Sequence, residues 1–208
     1  MDHFSTEEEQ IEAIKKFWKE NGIPIIVGAA LGLGGLWGWR FYNGQQLQAQ
    51  EQANDAYNVA MDALAANETD TSVLTQFIDA NKDTTYAVMA ALQLAKVAVE
   101  HDDLAEAEKQ LQWAADNVAD VAIQDLALLR LARVQGELEK YDAAKATLDK
   151  VSSEAFQAQA YTVKGDVLAK QSLYNEAQES YSKALELTDG NPTLIQMKID
   201  HLNAKVSS

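Results

Sequence analysis

The pattern of hydrophobic and polar positions divides the chain into three. In residues 1–22, Ile11, Ile14, Phe17 and Trp18 recur at helical spacing among charged neighbours. That spacing predicts a short amphipathic helix lying along a membrane surface. Ser5 or Thr6, followed three residues later by Glu8 or Glu9, supplies a capping box at its start. Asn21-Gly22 supplies a stop, and Pro24 opens the next helix. From Ile23 to Tyr42 the alternation disappears. The run IPIIVGAALGLGGLWGWRFY has no charge over the 17 residues from Ile23 to Trp39. At about 1.5 Å per residue this is roughly 25 Å of helix, close to the hydrocarbon core of a bilayer. Phe17 and Trp18 flank it on one side and Trp37, Trp39, Phe41 and Tyr42 on the other, at the level where tryptophan and tyrosine rings settle. Over residues 45–208, beyond Asn43-Gly44, the period is helical throughout and broken every 12–18 residues. The expected fold is all-α: one transmembrane helix followed by a set of helical repeats.

Three segments in the last part align with one another. The first runs from Ala91-Leu92-Gln93-Leu94-Ala95 through Ala107 and Leu111 to Ala114. The second has Leu128-Leu129-Arg130-Leu131-Ala132, then Ala144, Leu148 and Val151. The third has Tyr161-Thr162-Val163-Lys164-Gly165, then Leu168, Ala177, Tyr181 and Ala184. Their offsets are 37 and then 33 residues. This alternation of bulky and small positions resembles the tetratricopeptide repeat, most closely in the third copy. The small residues mark where two helices of a repeat approach, and the large ones fill the space beside them. The repeats are expected at about 88–117, 125–154 and 158–190. Gln45–Asn67 and Asp70–Asn81 form a further helix pair ahead of them. Pro192 opens a capping helix over 192–204.

The apolar run has three competing readings: a phosphate-binding loop, a cleaved signal peptide and the buried helix of a soluble protein. Gly32-Leu33-Gly34-Gly35 has the look of a phosphate-binding loop. Gly38 falls at the wrong spacing for G-x-G-x-x-G, however, and no strand–turn–helix context surrounds it. A cleaved signal peptide needs a short basic leader and a small-x-small site. Here the leader is 22 residues long with six acids, and Arg-Phe-Tyr-Asn-Gly follows the run. A retained signal anchor is the expectation. Lysine and arginine set its orientation. Lys15, Lys16 and Lys19 precede the span, whereas after Arg40 none occurs for 41 residues, until Lys82. The N-terminus is therefore expected in the cytoplasm and residues 45–208 outside it. Gly28/Gly32 and Gly34/Gly38 are four apart, a spacing that lets another membrane helix approach closely. Glycine is also simply common in such helices.

Composition narrows the function classes. The net charge is −15, with 32 acidic residues spread along the 208-residue chain and no basic stripe, which argues against nucleic-acid binding. The absence of cysteine removes disulfides, thiolate metal sites, cysteine nucleophiles and a lipid-modified N-terminal cysteine. No catalytic constellation is visible, so no enzyme, cofactor or metal site is expected. His3 falls in the cytoplasmic tail, His101 in a turn beside Asp102 and Asp103, and His201 in the capping helix. Asp102, Asp103, Glu106 and Glu108 read as charges at a helix N-terminus. By the tetratricopeptide resemblance, the groove side of the first helices would carry Met89, Leu92, Lys96 and Val99, then Leu126, Leu129 and Arg133, then Thr162 and Asp166. Two readings stay open: a docking groove for a peptide or protein segment, or a surface covered by another part of the chain.

The run Glu20-Asn21-Gly22, the glycine-spaced span, Gly38-Trp39-Arg40 with its aromatic pair, and Ala127–Asp149 (ALLRLARVQGELEKYDAAKATLD) together resemble the YfgM family of ancillary subunits of the bacterial SecYEG translocon. The resemblance covers essentially the full length. It implies a single-pass protein of the bacterial inner membrane with a periplasmic repeat domain. The implied partners are SecYEG and PpiD, a membrane-anchored periplasmic chaperone, and the implied role is to assist newly exported client chains. A membrane-anchored scaffold regulating an envelope signalling or assembly complex is the competing expectation. The family supplies no binding residues to carry over.

Overall fold

The computed structural model describes residues 7–67 and 70–206. His3 and the Ser5/Thr6 capping box lie outside the described residues. Those described form nine α-helices and no strand: α1 (Glu7–Ala66), α2 (Ser72–Ala80), α3 (Thr85–Glu100), α4 (Leu104–Asn117), α5 (Val121–Glu137), α6 (Tyr141–Leu148), α7 (Glu154–Lys170), α8 (Tyr174–Leu187) and α9 (Thr193–Val206). The chain divides into two compact units, one ending at Gln52 and one beginning at Ala53.

The first unit consists of the greater part of α1. The stop expected at Asn21-Gly22 does not form, and the helix runs on through both residues and through Pro24. Gly22 keeps a right-handed conformation, and the Asn21 amide donates to the Phe17 carbonyl at 3.1 Å. The side chain thus bonds within the helix instead of ending it. Proline lacks the N–H that would bond the Glu20 carbonyl. Ile23, Leu31, Leu33, Leu36, Trp37 and Trp39 are all exposed along this helix. Trp37 stacks on Phe41, one turn later, at 5.9 Å between ring centroids.

The second unit is a stack of helix hairpins. The end of α1 buries Ala53, Ala60 and Leu64. Tyr57, on the same stretch, meets Phe77 of α2 and Tyr86 of α3 at 5.9 and 5.7 Å. Then come three pairs, α3/α4, α5/α6 and α7/α8, closed by α9. Each helix packs against the next, and α5 also packs against α7. Ala107, Ala144 and Ala177 occupy the same place in the three pairs and are fully buried.

The three hairpin turns are built alike. Asp102, Glu139 and Ser172 each adopt a left-handed backbone, with φ of 60°, 57° and 63°. The following amides of Asp103, Lys140 and Leu173 reach back to the carbonyls of Ala98, Gln135 and Leu168 at 2.8, 2.8 and 3.0 Å. This is a Schellman closure, which satisfies the last carbonyls of one helix while starting the next. Asp103 caps α4 by accepting from the Glu106 amide at 3.0 Å. The side chains of Lys140 and Leu173, at the matching positions, carry no acceptor oxygen.

Candidate functional site

The sequence-derived groove residues fall into three groups. Leu92, Lys96 and Val99 of α3 and Arg133 of α5 line one cleft of about 360 Å³. Its floor is completed by Ala95, Leu111 and Val134, all buried, and its rim by Glu100 and Arg130. Helical spacing places them there: Leu92, Lys96 and Val99 lie three and four residues apart on one face of α3, as Arg130 and Arg133 do on α5. Val99 is 42% exposed in spite of its apolar side chain. Lys96 pairs with Glu100 at 3.5 Å. Met89, one turn before Leu92, is exposed and extends the same face. Leu126 is half-buried.

The second group turns inward. Leu129 is only 1% exposed and belongs to the core, so it is not a groove residue. α5 packs against α4, α6 and α7, and so loses the open face that α3 keeps at Leu92. The third group is occupied by the chain itself. Thr162 donates its hydroxyl to the Ala158 carbonyl at 2.8 Å, within its own helix. Asp166 accepts from the Tyr181 hydroxyl at 2.6 Å and from the ammonium of Lys198 on α9. Burial first, then the Asp166 hydrogen bond and charge, push the Tyr181 hydroxyl far above the usual tyrosine value. Three of the expected groove residues, Leu129, Thr162 and Asp166, are thus committed within the fold, and the open part of the groove is the α3/α5 cleft.

A family model described as a tetratricopeptide repeat-like domain matches residues 15–204. The ancillary SecYEG translocon subunit of Escherichia coli (strain K12) is 32% identical over 205 residues, covering 98% of this chain and 100% of that protein. The Haemophilus influenzae protein of the same name is 36% identical over 189 residues, 86% of this chain and 93% of that protein. The Neisseria gonorrhoeae one is 32% identical over 205 residues, 94% and 97% of the two chains. This chain belongs to the ancillary SecYEG translocon subunit family.

The family match begins inside α1, so it takes in the apolar helix as well as the hairpins. In this family member that helix is, among the described residues, the one long and apolar enough to cross a membrane. A Cβ placed on Gly28, Gly32, Gly34 or Gly38 would meet nothing within 4 Å. The four do not form one stripe. At 3.6 residues per turn, the Gly28/Gly32 pair and the Gly34/Gly38 pair point about 120° apart. Gly35 instead returns to the Gly28/Gly32 face.

Other polar residues hold the hairpins. His101 ends α3, its Nδ1 donating to the Val97 carbonyl at 2.8 Å, and His201 is exposed on α9. Asp125 was not singled out from the sequence, yet it is fully buried. Its carboxylate accepts from the amides of Ser152 and Ser153 at 3.1 and 2.8 Å, tying α5 to the start of α7. Its one sequence signal is a lone acid inside the apolar run Val121–Leu129. Arg130 had a clearer one: with Arg133 it accounts for two of the three arginines in the chain, spaced to share a helix face.

Proposed function

We propose that this protein is a non-enzymatic inner-membrane adaptor of the SecYEG translocon. The observation that carries the reading is the joining of one membrane-length apolar helix to a helical-repeat unit, with similarity to proteins named ancillary SecYEG translocon subunit over both. The lysines at positions 15, 16 and 19, set against the base-free stretch after Arg40, keep the N-terminus in the cytoplasm and place the repeats in the periplasm. In the membrane, the face carrying Gly28, Gly32 and Gly35, or the one carrying Gly34 and Gly38, admits a partner helix at short range. In the periplasm, the repeat unit holds a PpiD-like chaperone or an exported client chain. Nothing in this role requires a catalytic group; His101 caps α3 and His201 is a surface residue.

Purification of the tagged full chain from gently solubilised membranes, after crosslinking through the apolar helix, tests the reading. SecYEG subunits should be recovered in amounts well above those for an unrelated single-span control. Their absence would sink the adaptor role. A fusion of alkaline phosphatase after Ser208 should be active, and an inactive fusion would reverse the topology.

A further inference from the structure

The α3/α5 cleft carries an anomaly of charge. Among the described residues, at least eight of the eleven lysines in 53–208 sit in ion pairs. Acids are plentiful across this unit, and local pairing is the rule. Arg130 and Arg133 break it. Both are exposed, they lie one turn apart on α5, and among the described residues neither has an ion-pair partner. Glu100, the acid on the same rim, is engaged by Lys96. Directly beside these two guanidinium groups is the apolar floor of the cleft, with Val99 left open.

We propose that this cleft takes an acidic peptide segment of a partner protein, an apolar side chain settling on Leu92 and Val99 while an adjacent carboxylate pairs with Arg130 and Arg133. The two halves of the site select this chemistry together. A small anion would use the arginines and leave the apolar floor bare. A purely apolar segment would cover the floor and strand two cations. The planar fork of arginine fits a carboxylate in two parallel hydrogen bonds, which a lysine cannot offer. The cleft volume of about 360 Å³ is at the small end for ligand pockets. That size suits one or two side chains of a segment that runs on across the surface. The net charge of −15 repels acidic partners at long range, so a local cationic pair is what makes an acidic segment acceptable at this cleft. The inference rests on the repeat unit being the partner-holding part of the adaptor.

The test uses the full chain in nanodiscs of phosphatidylcholine and short fluorescein-labelled peptides in which leucine and phenylalanine alternate with aspartate and glutamate. Fluorescence anisotropy should report saturable binding, and the counterpart peptide with asparagine and glutamine should bind at least about tenfold more weakly. Arg130→Gln/Arg133→Gln, two exposed substitutions, should abolish that difference with helix content unchanged by circular dichroism. Equal binding of the two peptides by the wild type overturns the proposal, as does wild-type behaviour of the double variant. Two further outcomes also overturn it by naming another occupant. Loss of peptide binding when the nanodiscs contain phosphatidylglycerol assigns the arginines to lipid headgroups. A change of oligomeric state in the double variant assigns them to a second copy. No translocon is present in this assay, so its failure is distinct from failure of the co-purification above.

Discussion

Gly165 and Tyr181 approach so closely that no side chain fits between them: a Cβ on residue 165 would lie 2.4 Å from Tyr181 Cε1. The aromatic ring is buried and its hydroxyl is held by Asp166, so it has no room to swing away. The first two repeats solve the same position with alanine and leucine, as Ala95 with Leu111 and Ala132 with Leu148. Gly165→Ala should therefore cost about 1–3 kcal/mol through overpacking, even though alanine is the better helix former. Gly165→Ala/Tyr181→Leu copies the other two repeats and should cost clearly less than the sum of the single changes. Urea denaturation followed by far-ultraviolet circular dichroism measures this, and strict additivity would contradict the contact.

The Tyr181 hydroxyl also sets an alkaline limit. Its folded value is raised by burial and then by Asp166, from a starting value of 10.0. Above that pH the unfolded chain has released a proton that the folded chain still holds, so stability falls as pH rises further. Below it the contribution is constant. Wild-type protein should lose stability more steeply than Tyr181→Phe between about pH 10 and 12, and in parallel with it from about pH 6 to 9. Equal slopes in the alkaline range would show that the hydroxyl is not held.

Left-handed residues at Asp102, Glu139 and Ser172 carry a backbone cost that glycine avoids. Glu139 has φ of 57° and is exposed. A residue with a Cβ pays roughly 1–2 kcal/mol in this region, against about 0.5–1 kcal/mol of extra chain entropy lost by glycine. Glu139→Gly should be neutral or stabilising by up to about 1 kcal/mol, and Glu139→Val destabilising by more than that. A shift in midpoint in the opposite order would contradict the turn geometry.

These same turns show what the sequence made legible and what it did not. Helical period and the offsets of 37 and 33 residues were enough to locate the hairpins, because both are written in local spacing; Asp102, Glu139 and Ser172 repeat them in the structure. None of the turn positions is glycine, so the usual C-terminal signal was missing while the backbone closure was kept. At Asn21-Gly22 the opposite occurred: stop residues are present, and the helix absorbs them. Burial is a matter of neighbours, not of residue type. Leu92 and Leu129 occupy matching places in two repeats, but one lines a cleft and the other is core. Lys96, Arg133 and Asp166 also match in place, and it was the contact from α9 that removed Asp166 from the groove.

Asp125 joins two repeats through two backbone amides, those of Ser152 and Ser153. Asp125→Ala strands both donors beside a small void and should cost about 2–4 kcal/mol. Asp125→Asn keeps one acceptor oxygen and should cost less. Amide hydrogen exchange at Ser152 and Ser153 should accelerate in the same order. Unchanged exchange at those two positions would mean that the carboxylate does not hold the start of α7.

The two glycine faces of α1 make separable predictions for the membrane. Leucine is favourable at the centre of a membrane helix, so Gly32→Leu and Gly34→Leu should both insert normally. Each fills a different side, since the two glycine pairs point about 120° apart. If the partner helix packs on the Gly28/Gly32/Gly35 face, Gly32→Leu reduces co-purified SecYEG several-fold and Gly34→Leu leaves it near the wild-type amount. The reverse pattern assigns the Gly34/Gly38 face. A Cβ on any of the four meets nothing within 4 Å among the described residues, so neither position is already tightly packed inside the chain. Any loss of SecYEG therefore reports on the partner, and no loss from either variant reduces the glycines to ordinary membrane-helix composition.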